Sequence, residues 1–182
     1  NLMGVNLSNS SMIGSNLEGS NLRRSNLSGS NLSSANLRYS NLSGAILISS
    51  NLISADLTGS DMSGSNFTGS KLISVDFGSD TFLGRAIFIG ADLSGSIMPK
   101  SNLSRANLSK ANLNGVDLTN SNLTGANLTG ANLSGANLDG ADLKNANFLG
   151  AKLDNVLARR LKNCPRLLPN EWECKRNTLL SK

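Results

Sequence analysis

Ala126-Asn127-Leu128-Thr129-Gly130-Ala131-Asn132-Leu133-Ser134-Gly135-Ala136-Asn137-Leu138-Asp139-Gly140 is one five-residue unit written three times. Working outward, the apolar residue at its centre recurs every five positions, back to Phe88 and forward through Phe148 to Leu153. The phase then moves by one, and the period resumes at Phe82 and Phe77 and runs back to Leu2. Two residues before each centre the side chain is small, as at Ser25, Ser30 and Ala35 early on and Ala126, Ala131 and Ala136 later. Asn or Asp precedes most centres, and Gly stands two residues after many of them. Thirty-one centres within 153 residues decide the architecture, because self-similarity at a fixed period signals a stacked repeat.

A period of five fits neither an α-helix, whose apolar face recurs at three and four, nor a half-buried strand, which alternates at two. It fits a chain that turns a corner once per unit. The centre and the small residue two before it then point inward, and the other three point outward. Each buried Leu is worth roughly 1.5–3 kcal/mol against exposure, so the inward ladder is the main stabiliser. Gly at the fifth position supplies positive φ where a turn needs it. Asn and Asp can brace the corners through side-chain to backbone hydrogen bonds.

The motif Ala/Ser, Asn/Asp, Leu, Ser/Thr, Gly resembles the pentapeptide-repeat family over roughly five-sixths of the chain. The resemblance implies an all-β fold, a right-handed quadrilateral parallel β-helix in which four units make one coil and positions twenty apart stack. At the paired-strand spacing of about 4.8 Å, about eight coils make a rod about 37 Å long. The expected organisation is a solenoid over 1–153, with a one-residue phase slip at 83–87, and a non-repeat C-terminal cap or connector over 154–182. The family is abundant in bacteria, cyanobacteria above all, with members in the periplasm, the thylakoid lumen and the cytosol.

The 182 residues carry a formal charge of +5, but its distribution matters more than its size. Residues 1–150 hold nine basic and nine acidic side chains, so the excess lies in 151–182, where eight basic residues face three acidic ones. A neutral body with a basic tail argues against duplex mimicry, which needs an anionic surface in place of phosphates. There is no His, which removes the commonest general base and the usual triads, and the serines stand at repeat positions. The expectation is no enzyme, no cofactor and no metal. Sequons such as those at Asn6, Asn26 and Asn122 are products of the repeat. No run of 18 apolar residues is present, so no transmembrane segment is expected. The chain begins at Asn1 in mid-repeat, as expected of a processed protein or a piece of a longer one.

The departures from the consensus are where function is sought. At the slip, Asp80 stands where a small inward residue is expected, and Leu83 and Arg85 are placed on an outward bulge. Ile46, Ile48, Ile53, Ile73, Ile87, Ile89 and Ile97 occupy outward positions. Stacking at twenty puts Ile53 over Ile73 on one side and Ile48 and Ile89 on the adjacent one. Ile48, Ile53, Ile73, Leu83, Arg85 and Ile89 are therefore the candidate interaction patch, against the plain alternative that β-branched residues suit strand-like faces. Beyond the repeat, Leu157, Leu161, Leu167, Leu168 and Trp172 are the expected core of a cap, which an open solenoid end requires. Cys164 and Cys174, the only cysteines, are the candidate disulfide, since two thiols without a His do not complete a zinc site. That bond would favour periplasm, lumen or exterior; reduced thiols would favour the cytosol.

These features suggest a non-catalytic structural or protein-interaction module. The alternatives are a DNA mimic that binds topoisomerase, which the charge disfavours, and an anion, nucleic-acid or lipid site on the basic end. That end comprises Arg159, Arg160, Lys162, Arg166, Lys175 and Arg176. A polar lattice matched to ice or a glycan is weaker, because the outward residues vary along each side.

Overall fold

The computed structural model describes residues 1–79 and 81–182. Outside 77–81, the repeat units close on a turn. In Leu22-Arg23-Arg24-Ser25 the Ser25 N–H donates to the Leu22 carbonyl at 3.0 Å, and the third residue has φ of 55°. That is the signature of a type II turn, which needs positive φ at its third position. The bond recurs from Val5 to Leu2 through to Val156 and Leu153. Gly125, with φ of 68°, fills the third position without penalty, whereas Arg24, Tyr39, Arg85, Lys100, Arg105 and Lys110 hold the same conformation with a Cβ. The left-handed conformation costs an L-residue roughly 1–2 kcal/mol.

Between turns the backbone pairs with the coils above and below. Asn26 N–H donates to Val5 O at 2.9 Å, and Leu22 N–H to Asn41 O at 2.7 Å. The parallel bridges fall into four columns. The first side runs Asn6, Asn26, Ile46, Asn66; the second Ser11, Asn31, Asn51, Lys71; the third Asn16, Asn36, Asp56, Asp76; the fourth Asn21, Asn41, Asp61. Twenty residues therefore make one four-sided coil, and the stacked coils form a β-helix solenoid. Asn and Asp brace the corners: Ser28 N–H donates to Asn26 Oδ1 at 3.1 Å, and Thr119 N–H to Asp117 Oδ1 at 2.9 Å.

The bore holds the ladder of centres together with the small residues, from Leu22 to Phe148 without exposure. Phe67 and Phe88, in adjacent coils, stack with ring centroids 5.0 Å apart. A buried Ser is tolerated where its hydroxyl finds a carbonyl, as Ser25 Oγ does on Leu22 O at 2.6 Å. At the first coil Leu2, Leu7, Met12 and Leu17 are only partly covered.

The phase slip differs from expectation. Bridge partners are twenty apart up to Asp56 and Asp76, twenty-one apart from Asp61 and Phe82 to Asp76 and Ile97, and twenty apart again from Phe82 and Asn102. The extra residue thus enters between Phe77 and Phe82, within 78–81, and the placement at 83–87 is corrected. Leu83, 0% exposed, is the centre, and Phe82, 55% exposed, faces outward. In that register the small inward position falls on Thr81, which is buried and donates its hydroxyl to the Phe77 carbonyl. Centring on Phe82 would assign that position to a carboxylate, which an apolar bore penalises. The expectation for Asp80 itself lies outside the described residues.

The ladder also outlasts residue 153. Leu157 bridges Asn137, Asn163 bridges Asp142 and Leu167 bridges Asn147, so the segment after Leu153 first completes another coil. This explains two corrections to the expected cap core. Leu157, 49% exposed, and Leu167, 37% exposed, stand at the outward bridge position held mostly by Asn or Asp in earlier coils. Leu161 is buried, while Leu168 and Trp172 pack partly buried against the core. The end is then covered by an antiparallel hairpin, β1 (Trp172–Lys175) and β2 (Thr178–Ser181). Arg176 and Asn177, both at positive φ, form its tight type I′ connection. Leu179, buried, ties β2 to the last coil through its N–H on Ala158 O at 3.0 Å. A disulfide joins Cys164 to Cys174, with Cα atoms 6.0 Å apart.

Candidate interaction surface

Most of the outward isoleucines gather on two sides, while Ile97 stands exposed on the third. On the first side Ile46 and Ile48 are exposed in one coil, and Ile87 and Ile89 occupy the same columns two coils further on, with Asn66 and Thr68 between. On the adjacent second side Ile53 and Ile73 lie half-buried in successive coils. The sheet-like sides accept β-branched residues readily. What is unusual is their number on two adjacent sides, since isolated exposed apolar residues are ordinary and clusters are not.

Of the six predicted patch residues, Ile48, Ile53, Ile73 and Ile89 line these two sides, and Arg85 stands exposed at the corner between the fourth and first sides. Leu83 does not belong to the surface; it is the buried centre of its unit. Phe82 takes its place, exposed on the fourth side and three residues before Arg85. The sequence held the signal for this exchange in Thr81, a small residue two before Leu83.

Corner side chains obey a size rule. Wherever the third turn position carries Arg24, Tyr39, Arg105, Lys110 or Asn120, the residue twenty further on is Gly, over which that side chain lies. Arg105 Cγ is 3.6 Å from where a Cβ on Gly125 would stand, and Lys110 Cγ 3.8 Å from one on Gly130. The Tyr39 ring lies 2.6 Å from a Cβ on Gly59, and Asn120 Oδ1 is closer still to one on Gly140. Two long side chains depart from it: Asn120 lies above Lys100, and Arg105 lies above Arg85.

Three ion pairs form among the described residues. Arg38 meets Asp56 at 2.9 Å, and its guanidinium lies 5.2 Å from the Tyr39 ring. Burial pushes the Asp56 carboxyl up, but the Thr58 hydroxyl and N–H and the Arg38 guanidinium together hold it below the usual carboxylate range. Arg160 meets Asp139 at 2.6 Å, and this bond is the main reason the Asp139 carboxyl is lowered. Lys175 meets Glu173 at 2.8 Å. Two cations of the basic end are therefore already paired. Arg160 and Lys162 line a hollow of about 210 Å³ that Asp139 shares. Among the described residues no three His, Cys, Asp or Glu side chains converge as metal ligands, and no helix is long and apolar enough to cross a membrane.

The family pattern described as pentapeptide repeats matches the chain in eight copies, over residues 1–38, 30–69, 50–78, 86–125 and 121–157. Its gap falls across the slip. No curated protein matches the sequence. Among solved structures, the chain is similar to HetL, a pentapeptide repeat protein involved in heterocyst differentiation regulation from the cyanobacterium Nostoc sp. strain PCC 7120. Identity is 31%, covering 85% of this chain and 83% of that one, with a TM-score of 0.43. QnrB1, a plasmid-mediated fluoroquinolone resistance protein, is 20% identical, covering 85% and 86%, with a TM-score of 0.42. A pentapeptide repeat protein from the Arabidopsis thaliana thylakoid lumen is 25% identical, covering 75% and 67%, with a TM-score of 0.27.

Proposed function

The chain belongs to the pentapeptide-repeat family, and from that premise we propose that it is a non-catalytic docking rod whose isoleucine-bearing first and second sides hold a protein partner. The rod is a right-handed stack of about eight coils, thirty-one units at four to a coil. One observation carries the reading: Ile46 and Ile48, Ile87 and Ile89 two coils on, and Ile53 and Ile73 on the adjacent side gather most of the outward isoleucines onto two neighbouring sides of the rod. Exposed apolar area of this kind is costly to keep in water and marks interaction sites.

The charge speaks against a duplex mimic, since the body balances nine acids with nine bases. Pairing of Arg160 and Lys175 speaks against the basic end as an anion site. The Cys164–Cys174 bond favours an oxidising compartment, and periplasm, lumen or exterior is where the partner is to be sought.

Photocrosslinking amino acids at Ile48 and Ile73, with controls on the same columns at Thr129 and Ser134, test the reading in the native source. The isoleucine positions are expected to capture one partner and the controls none. Capture that Ile46→Asp and Ile89→Asp leave unaltered, or equal capture at all four positions, refutes it.

A further inference from the structure

Arg85 and Arg105 occupy the same corner in consecutive coils, joined by the bond from Arg85 N–H to Ser104 O at 2.9 Å. Their backbones are therefore one strand spacing apart, about 4.8 Å. Both side chains are exposed, and no ion pair among the described residues involves either. Both also sit at positive φ, 60° and 57°, at the turn position that Gly fills most easily. Arg24, Tyr39, Arg105 and Lys110 each lie over a glycine in the next coil, and Lys100 lies beneath Asn120; Arg85 instead meets a second arginine. Stacked like charges repel and left-handed non-glycine residues are strained, so the corner carries two unfavourable terms, and Arg85 has no glycine above it to lie over. Bound anions offset the first.

The surroundings say which kind. Along the fourth side, three residues before Arg85, stands exposed Phe82. Along the first side, two and four residues after it, stand Ile87 and Ile89. Lys100 and Lys110 hold the same turn position at the corners on either side of Arg105 in its own coil, also exposed and at positive φ. A cationic pair flanked on both sides by large apolar groups complements a chain that alternates carboxylates with apolar side chains. A uniformly charged polyanion would leave Phe82, Ile87 and Ile89 uncovered.

We propose that the Arg85–Arg105 corner, with Phe82 and Ile87 beside it, is the anchor for an acidic, apolar segment of the protein partner, its carboxylates bridging the two guanidinium groups. The inference rests on the reading of the rod as a docking module and gives that partner its chemistry. Arginine receives carboxylate bidentately, so two stacked arginines orient an extended segment along the rod as well as binding it.

The test is titration of the whole protein with a fluorescent peptide alternating glutamate and leucine. Comparison probes are the same length alternating lysine and leucine, a short DNA duplex, and vesicles containing phosphatidylserine. The glutamate–leucine peptide is expected to bind with the highest affinity and to weaken as salt rises. Arg85→Gln and Arg105→Gln should each weaken it about tenfold, with the melting temperature unchanged or raised. Phe82→Ser should weaken it at any salt concentration. Tighter binding of duplex or vesicles, equal binding of the two peptides, or full affinity in the Arg85→Gln, Arg105→Gln double variant overturns the proposal. If the arginine variants lose the peptide while crosslinking at Ile48 and Ile73 captures nothing, the corner stands and the wider docking surface falls. The converse result removes the corner alone.

Discussion

Replacing Gly59 by Ala separates two costs that every corner of this rod combines. At Gly64, with φ of 65°, an added Cβ meets nothing within 4 Å, so Gly64→Ala measures the left-handed conformation alone. That is about 1–2 kcal/mol, less a few tenths regained from the stiffer unfolded chain. At Gly59, with φ of 68°, the same Cβ would stand 2.6 Å from Tyr39 Cδ1 and 2.7 Å from Cε1. The ring must swing away, losing its packing and its contact with the Arg38 guanidinium. Gly59→Ala should therefore cost about 1–2 kcal/mol more than Gly64→Ala. For a chain of this size each kcal/mol lowers the melting temperature by about 2–4 °C, so thermal melts followed by circular dichroism resolve the difference. In a Tyr39→Ala background the excess should vanish, leaving Gly59→Ala equal to Gly64→Ala. Equal melts for the two single variants would refute the argument that the next coil's glycine exists to seat the side chain beneath it.

Leu57, unexposed in the bore, tests the register: Leu57→Asp buries an unpaired carboxylate and should lower the melting temperature sharply, whereas Asp at the outward Thr58 should not. Reducing the Cys164–Cys174 bond, or Cys174→Ser, should free the hairpin and speed hydrogen exchange at the Leu161 and Leu179 amides, leaving the Leu123 amide unchanged. Asp56 and Asp139 have carboxyl pKa values lowered by folding, so their stabilisation is full above the ordinary carboxylate range and is lost as pH falls through their folded values. Acid titration of stability should accordingly flatten in an Asp56→Asn, Asp139→Asn double variant, and an unchanged slope would deny the two ion pairs a role.

The repeat was legible because one unit decides everything about its own fold: Leu inward, a small residue two before it, Asn on the corner. What was not legible is where two adjacent residues satisfied the same pattern. Phe82 and Leu83 are both apolar, and periodicity extends to Phe82 from one direction and to Leu83 from the other. Only the inward space two residues earlier chooses between them, and that is a packing criterion. The cap failed for a related reason. Leu157 and Leu167 are leucines at positions mostly held by Asn or Asp in earlier coils, so residue type suggested core while the continuing ladder turned them outward. Leu179 was overlooked because a four-residue strand with an Arg-Asn turn carries little signal before its pairing is known. The sides on which Ile48, Ile53, Ile73 and Ile89 stand were readable, since stacking at twenty converts sequence separation directly into position on a side.

The single inserted residue near Phe77 shifts the bridge separation from twenty to twenty-one for one coil and then disappears from the count. Each column continues straight through it, so the isoleucines before the slip and those after it still share a side. An insertion of one whole unit would act in the opposite way. It would satisfy every local preference of the repeat and leave no flaw in the bore, yet it would rotate everything beyond it by a quarter turn against everything before. In this architecture a visible irregularity preserves the surface, and a perfect repeat added in the wrong number would scramble it.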